Sequence, residues 1–457
     1  MSSAPLPSRA PLRVRVRRGM DLPLEGAPSP EAAEEGPALT RIAVLGADAP
    51  GLRAELRVER GERVRTGQTL FVDRRRPEVR FTAPGTGRIE TLARGARRRL
   101  EALVIRLEGE GEQRFDVPAP DGRGRSAEAP LREAMQASGL WCALRTRPFG
   151  RIPDPDARPH AIFVTAMASD PLAPAPGPFL RARRGDFERG VAALSALSEG
   201  PVFVCTGPRA EPPLPALDPV RHAEFEGPHP AGLPGTHIHV LAPAGEGRTV
   251  WHLPWSVVLE LGHLLATGRI ATERIVALTG PSLAQPRLVR TRVGASTEEL
   301  LAGELRGPAP QRVVSGSLLS GRQASGHEAF LGRLHDQLAV LPESAPAGRR
   351  AWLRPDRRGR ARTVPGSGRR PAFDASLAGR RGPFFPLERL EHVWPFDLPV
   401  APLLRALVVG DAEAARDLGA LELVEEDLAL VAFLCPGKIE YGALLRAALD
   451  EIERQRP

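Results

Sequence analysis

Phe433 to Gly442, FLCPGKIEYG, brings a thiol, an ammonium and a phenol close together in Cys435, Lys438 and Tyr441. Lys438 is the only lysine of the 457-residue chain, Tyr441 the only tyrosine, and Cys435 one of three cysteines. All other members of the 63 Lys+Arg side chains are arginine, and asparagine is absent. Such groups can serve as nucleophile, proton carrier or ligand. A Cys-Pro pair also closes the cysteine run that holds a ferredoxin-type cluster. Counting back at that spacing gives Glu425, Leu428 and Val431, none of them a thiol, so no iron–sulfur site follows.

Other candidate chemistry is similarly incomplete. His237 and His239, in THIHV, could share one face of a strand, but no cysteine or carboxylate stands at ligand spacing, and no metal site is expected. His252 and His263 sit among apolar residues and read as packed, hydrogen-bonded side chains. The turn ASGLWCALRTRPFGR places Gly139 before Leu140, Trp141, Ala143 and Leu144, whose bulk would keep a pyrophosphate from the backbone. No Walker A motif, G-x-G-x-x-G, nucleophile elbow or HExxH occurs, and no catalytic residue is assigned.

The elements that position these residues change character along the chain. Residues 1–38 are rich in Pro and Ala and read as an extended leader with loops. Over 39–112, short β-type runs alternate with turns at Gly61, Gly67, Gly85 and Gly87, which predicts a small all-β module. GERVRTGQTLFV and FTAPGTGRIETL look like the two halves of a biotinyl or lipoyl barrel. The tip between them, Asp73–Val79, carries arginines where a lysine would be acylated, so the barrel binds no prosthetic group covalently.

After a Pro/Gly/Arg linker at Pro118–Pro130, residues 131–270 alternate strand and helix patterns, with GTHIHVLAP read as a strand. This predicts a parallel, Rossmann-like sheet with a degenerate nucleotide loop. Residues 271–345 return to strands around one helix, STEELLAGEL, opened by a capping box of Ser296 and Glu299, which suggests a β-grasp. Residues 346–384 read as a basic flexible loop, and 385–457 as a helical domain without cluster cysteines. The fold class expected is therefore α/β multidomain, α+β overall.

The charge of +8 reflects arginine used wherever a surface cation was wanted, the signature of a GC-rich genome; with no DNA- or RNA-reading motif, nucleic acid is not an expected partner. Three scattered cysteines, an odd number, rule out a disulfide framework and fit a reducing compartment. The amino terminus lacks a secretory apolar region, and no apolar run reaches the roughly 20 residues of a membrane span. A soluble cytoplasmic chain, able to dock on a membrane complex, is expected.

RVRRGMDLPLEGAP, GQTLFVDRRRPEVRFTAPGTG, SGLWCALRTRPF, THIHVL, GPSLAQPRLVRTRVGA, VVSGSLLSG and LELVEEDLALVAFLCPGKIEYG, in that order, resemble the A subunits of Na+-translocating NADH:quinone reductases. The resemblance runs from about residue 13 to 454. It implies a biotinyl-like barrel, a Rossmann-like domain, a soluble-ligand-binding β-grasp and a helical domain. It also implies a peripheral subunit on the cytoplasmic face of a six-subunit membrane enzyme that couples NADH oxidation by ubiquinone to Na+ export. The family is similar to the NADH-oxidising flavoprotein of respiratory complex I, which carries a Gly-rich loop where this chain has SGLWCALRTRPF and cluster cysteines where it has EEDLALVAFLC. FAD, FMN, riboflavin and iron–sulfur centres are thus expected in partner subunits, and ubiquinone as a candidate ligand here. The basic loop Arg349–Arg381 departs most from the family.

Two readings of the Cys435–Tyr441 corner stand open. In one, Lys438 is a compact ammonium for a carboxylate, a carbonyl cluster or a quinone oxygen that an arginine fork would not fit, and Tyr441 supplies a hydroxyl. In the other, preferred here, Lys438 satisfies carbonyls at the end of one helix and Tyr441 packs across the helix–helix corner.

Overall fold

The structure is a computed structural model that describes residues 10–29, 33–118, 127–343, 373–375, 382–384 and 388–456. Most of the basic loop expected at 346–384 lies outside the described residues.

Four bodies follow in chain order. The first is built from two antiparallel sheets, one of Arg41–Leu45, Leu100–Leu107, Gly87–Arg94 and Arg63–Val64, the other of Ala54–Leu56, Thr69–Asp73 and Arg76–Thr82. Alternating Leu, Val, Ile and Phe point between them, with Phe71 stacked on Phe81 at 4.5 Å. The Asp73–Val79 tip rests against the second body, where Arg76 donates to the Ile152 carbonyl at 2.8 Å and pairs with Asp154 at 2.9 Å.

The second body is a six-stranded sheet in the order Leu12–Arg15, Val220–Glu226, Val202–Thr206, Ile162–Ala166, Val250–Pro254, Arg145–Arg147, parallel except for its last pair. Its central strands are continuous apolar runs because helices such as Glu128–Ser138, Arg184–Leu197 and Trp255–Thr267 pack on it. The third body is a second six-stranded sheet, mostly antiparallel, in which Glu273–Thr279 and Gln337–Pro342 run side by side at the centre. The fourth is helical: Val400–Val409, Ala412–Asp417, Ala429–Leu434 and Tyr441–Arg454 close on their own core.

Three expectations are corrected. The stretch 1–38 is not a leader apart from the fold: Leu12–Arg15 forms the edge of the parallel sheet, and Glu34–Glu35 pairs with Arg287–Arg292 in the third body. A backbone with no partner of its own is satisfied on exposed sheet edges. THIHV is helix, not strand; Pro234 at the first position of the helix Pro234–Leu241 fixes the helical φ and gives up only a donor that would be unpaired there. The helix expected over STEELLAGEL is a single turn, Thr297–Leu300, and its capping box is half made. Ser296 accepts from the Glu299 N–H, but the Glu299 carboxylate turns to the first body, taking the Thr40 N–H at 2.7 Å and Arg41 at 3.1 Å.

Candidate functional site

The parallel sheet grows from Ile162–Ala166 to one side, through Val202–Thr206 and Val220–Glu226, and then places Val250–Pro254 on the other. Strand order reversed in this way opens a crevice at the carboxyl ends. A cavity of about 500 Å³ lies there, between Thr165 and Met167 on one side and His252 and Pro254 on the other, roofed by the Gly316–Gly321 turn and by Glu425 and Glu426 of the helical body. That volume is within the range of small-molecule sites.

The turn that would cradle a phosphate is occupied by its own side chains. Gly139 ends the helix Glu128–Ser138 in the left-handed region (φ 80°), and a Cβ there would lie 2.7 Å from Thr82 Oγ1 of the first body. The glycine thus serves a close approach between bodies. The Trp141 indole is fully buried, donates Nε1–H to the Pro153 carbonyl at 3.0 Å and meets Trp251 edge-on at 5.4 Å. Cys142, buried, points its thiol at the Gly139 carbonyl (2.8 Å), and burial raises its pKa.

Carboxylates predominate on the cleft wall. Asp170, Asp336, Glu425 and Glu426 line it against Arg145 and Arg446. Arg446 is held by Glu425 at 2.7 Å and donates to the Phe149 carbonyl at 2.7 Å; Arg145 donates to the carbonyls of Cys142, Leu144 and Asp48. Burial pushes the Glu426 carboxyl up to about 7 even though Arg147 favours its charged form. A pyrophosphate here would face like charge. Thr165 Oγ1 and His252 Nε2 are buried with no hydrogen-bond partner among the described residues, and burial together with Arg147 and Arg145 holds the His252 pKa well below its usual value. The hydrogen bond expected for His252 is therefore not made at Nε2 among the described residues.

Arg147 pins the helical body to this wall. Fully buried, it reaches Asp427 at 2.6 Å, the Glu422 carbonyl at 3.0 Å and Glu426 at 3.1 Å. Asp427 also takes the Val424 N–H at 2.8 Å, and its other oxygen lies over the start of the Pro234–Leu241 helix, where a Cβ on Gly235 would approach to 2.0 Å. Four residues on, Arg151 pairs with Asp450 and Glu453, both at 2.6 Å. RTRPF and EEDL are both present in the sequence, but nothing in their spacing joins Arg147 to Glu426 and Asp427.

The histidine pair is divided by the helix. His237 is buried against Phe225 with Nε2 at 3.0 Å from the Ala231 carbonyl, and burial lowers its pKa to about 3. His239 faces the helical body, with Nδ1 2.7 Å from Glu422 and Nε2 accepting the Asp397 N–H at 2.8 Å. No three His, Cys, Asp or Glu side chains converge on a metal geometry among the described residues.

Cys435, Lys438 and Tyr441 do come together, away from the cleft. Cys435 caps the helix Ala429–Leu434, and Lys438 follows in a left-handed conformation (φ 49°). Its ammonium returns to the Phe433 carbonyl at 2.7 Å. Tyr441, fully buried, opens the last helix with its hydroxyl 3.5 Å from Cys435 Sγ, and burial raises its pKa.

Family models match three stretches: the NqrA N-terminal barrel-sandwich hybrid domain over residues 14–108, the NqrA second alpha/beta domain over 126–270 and the NQRA C-terminal domain over 275–326. Similar curated proteins include the A subunit of the Na(+)-translocating NADH-quinone reductase of Neisseria meningitidis serogroup C, 42% identical over 447 residues, 97% of this chain and 100% of that protein. The protein of that name in Yersinia pestis is 40% identical over the same shares. Among solved structures, an NAD+-reducing NiFe hydrogenase in the H2-reduced state is similar at a TM-score of 0.33 and 11% identity, covering 51% of this chain and 52% of that one. That likeness is too weak to carry an argument.

Proposed function

Since the chain belongs to the family of Na+-translocating NADH-quinone reductase A subunits, we propose that it is a peripheral, structural subunit of that membrane enzyme, placed on its cytoplasmic side, and that NADH is oxidised on another subunit. The observation that carries this reading is the filled phosphate turn. Leu140, Trp141 and Leu144 are packed into the turn that would hold a phosphate, and four carboxylates line the crevice beside it. No helix among the described residues is long and apolar enough to cross a membrane, so attachment runs through partner subunits. FAD, FMN, riboflavin and iron–sulfur chemistry belong to those partners.

The crevice suits an uncharged ring better than a phosphate. Ubiquinone carbonyls would meet the hydroxyl of Thr165 and the imidazole of His252, with Met167, Leu253 and Trp255 as apolar wall. The Cys435–Tyr441 corner is structural: Lys438 satisfies a carbonyl at a helix end and Tyr441 packs the core. The parallel sheet reads as Rossmann-like and the third body as a β-grasp.

The test is a tagged pull-down from gently solubilised native membranes, assayed for NADH:quinone reductase activity with and without Na+. Sodium-stimulated activity with several co-purifying subunits is the expected result. A lone chain with no such activity, or NADH oxidation by the isolated chain, overturns the proposal.

A further inference from the structure

The first body ends one hairpin, Gly87–Arg94 to Leu100–Leu107, in the sequence Gly95-Ala96-Arg97-Arg98-Arg99. The turn is closed by the Arg99 N–H to the Ala96 carbonyl at 3.2 Å and the Gly95 N–H to the Arg99 carbonyl at 2.9 Å. Its two central residues, Arg97 (φ 54°) and Arg98 (φ 58°), both lie in the left-handed region. A primed turn of this kind matches the twist of the strands but favours Asn and Gly at the centre. A GC-rich genome explains arginine in place of lysine. It does not explain arginine in place of glycine, which is also GC-encoded, occurs 46 times here and would sit in this turn without strain. Positive charge stands where the backbone asks for glycine.

Among the described residues that charge has no counterpart. Arg94, Arg97, Arg98 and Arg99 are all exposed, and none makes an ion pair among the described residues. Elsewhere on the same body Arg57, Arg88 and Arg106 are paired with Glu55, Glu108 and Glu90, while Arg53, Arg74 and Arg75 are exposed without an ion pair among the described residues, so what distinguishes this tip is four arginines gathered on a left-handed turn. Glu101, beneath Gly95, stays outside ion-pair distance of all four. Arg94 donates instead to the Arg98 carbonyl at 2.9 Å, which braces the tip. A solvent-facing group of like charges on a left-handed turn is a local conflict of the sort that marks a functional surface.

We propose that this hairpin tip is a contact for anionic phospholipid headgroups, whose phosphates the four guanidinium groups would bind. The lipid source is favoured because the family works in a membrane enzyme and the exposed guanidinium cluster complements anionic headgroups, so the inference rests on the family reading above and adds a surface contact to the attachment through partner subunits. Headgroup phosphate accepts bidentate pairs from guanidinium and needs no shaped pocket.

Vesicle co-sedimentation of the full chain tests it, with phosphatidylcholine alone and with added phosphatidylglycerol. Binding is expected only to the anionic vesicles and to fade by roughly 0.3 M salt. Arg97→Gln/Arg98→Gln should weaken it by roughly thirtyfold, given about 1 kcal/mol per basic residue at an anionic surface. Arg97→Gly/Arg98→Gly, which relieves the left-handed strain and should fold at least as well, should weaken it equally. Arg74→Gln/Arg75→Gln removes the same charge from two exposed side chains of the hairpin tip that rests on the second body and should change binding less than about threefold. Equal losses from both tips, or no preference for anionic vesicles, overturn the proposal. So does loss of co-purifying subunits in detergent by the tip variants, which would assign the tip to a protein partner. Failure here with the pull-down intact would leave the proposed place in the membrane enzyme standing.

Discussion

At the scale of single residues, we propose that Lys438 persists as a lysine among arginines because of the carbonyl its ammonium reaches. Its left-handed φ of 49° follows the Pro436–Gly437 break and turns the side chain back along the helix it has just left. There it donates to the Phe433 carbonyl at 2.7 Å, one of the acceptors a helix end leaves unpaired, with its ammonium 5.6 Å from the Phe433 ring. An ammonium on a flexible stem can point one N–H at one oxygen, whereas a guanidinium spreads five donors in a plane. Lys438→Arg should therefore lower the unfolding free energy by about 1 kcal/mol. The exposed Arg53→Lys should stay within about 0.5 kcal/mol of wild type. Urea midpoints of the two variants decide this, and equal midpoints would falsify the role given to Lys438.

Elements are joined by charges that neighbours in sequence do not predict. Arg147 and Asp427 are both fully buried, so removing one leaves the other charge in a low dielectric. Arg147→Met should cost about 3–5 kcal/mol. Adding Asp427→Asn removes the stranded charge and keeps an oxygen for the Val424 N–H, so at least half of that loss should return. A double-mutant cycle by chemical unfolding measures this; additive losses would mean that the pair does not couple the helical body to the sheet. Glu299 makes the same point more mildly, spending its carboxylate on Thr40 and Arg41 of another body rather than on its own helix cap.

For the whole molecule, buried titratable groups oppose one another in pH. His237 is lowered to about 3 and His335 to about 4 by burial, and His252 is also held low. A base with a depressed folded pKa contributes stability that is present above its unfolded value, about 6.5, and lost as pH falls below it. Glu426, an acid raised to about 7, behaves in the opposite way. Its contribution is full below the unfolded pKa near 4.5 and is lost as pH rises through 7. Melting temperature should accordingly drop below about pH 6. Glu426→Gln should gain on wild type between pH 5 and 8, by on the order of 1 kcal/mol because the carboxyl is partly solvated. A difference between the two proteins that does not vary with pH would rule out Glu426 as the titrating group.

The amino-acid sequence alone determined the order of the bodies, the apolar runs of the central strands and which residue types stand at each would-be site. Arginines at Asp73–Val79, Leu140 and Trp141 after Gly139, and Glu425, Leu428 and Val431 in place of thiols are all readable from residue type and spacing. These follow from local rules of periodicity, side-chain bulk and ligand identity. THIHV reads as a strand in sequence because a short apolar run fits strand and helix alike. Only the tertiary structure decided where the cleft opens, that Thr165 and His252 meet Glu426 across it, and that Arg147 finds Asp427 some 280 positions away. Those choices depend on strand order and on which faces pack together, and a buried charge takes its partner from whatever the fold brings within reach.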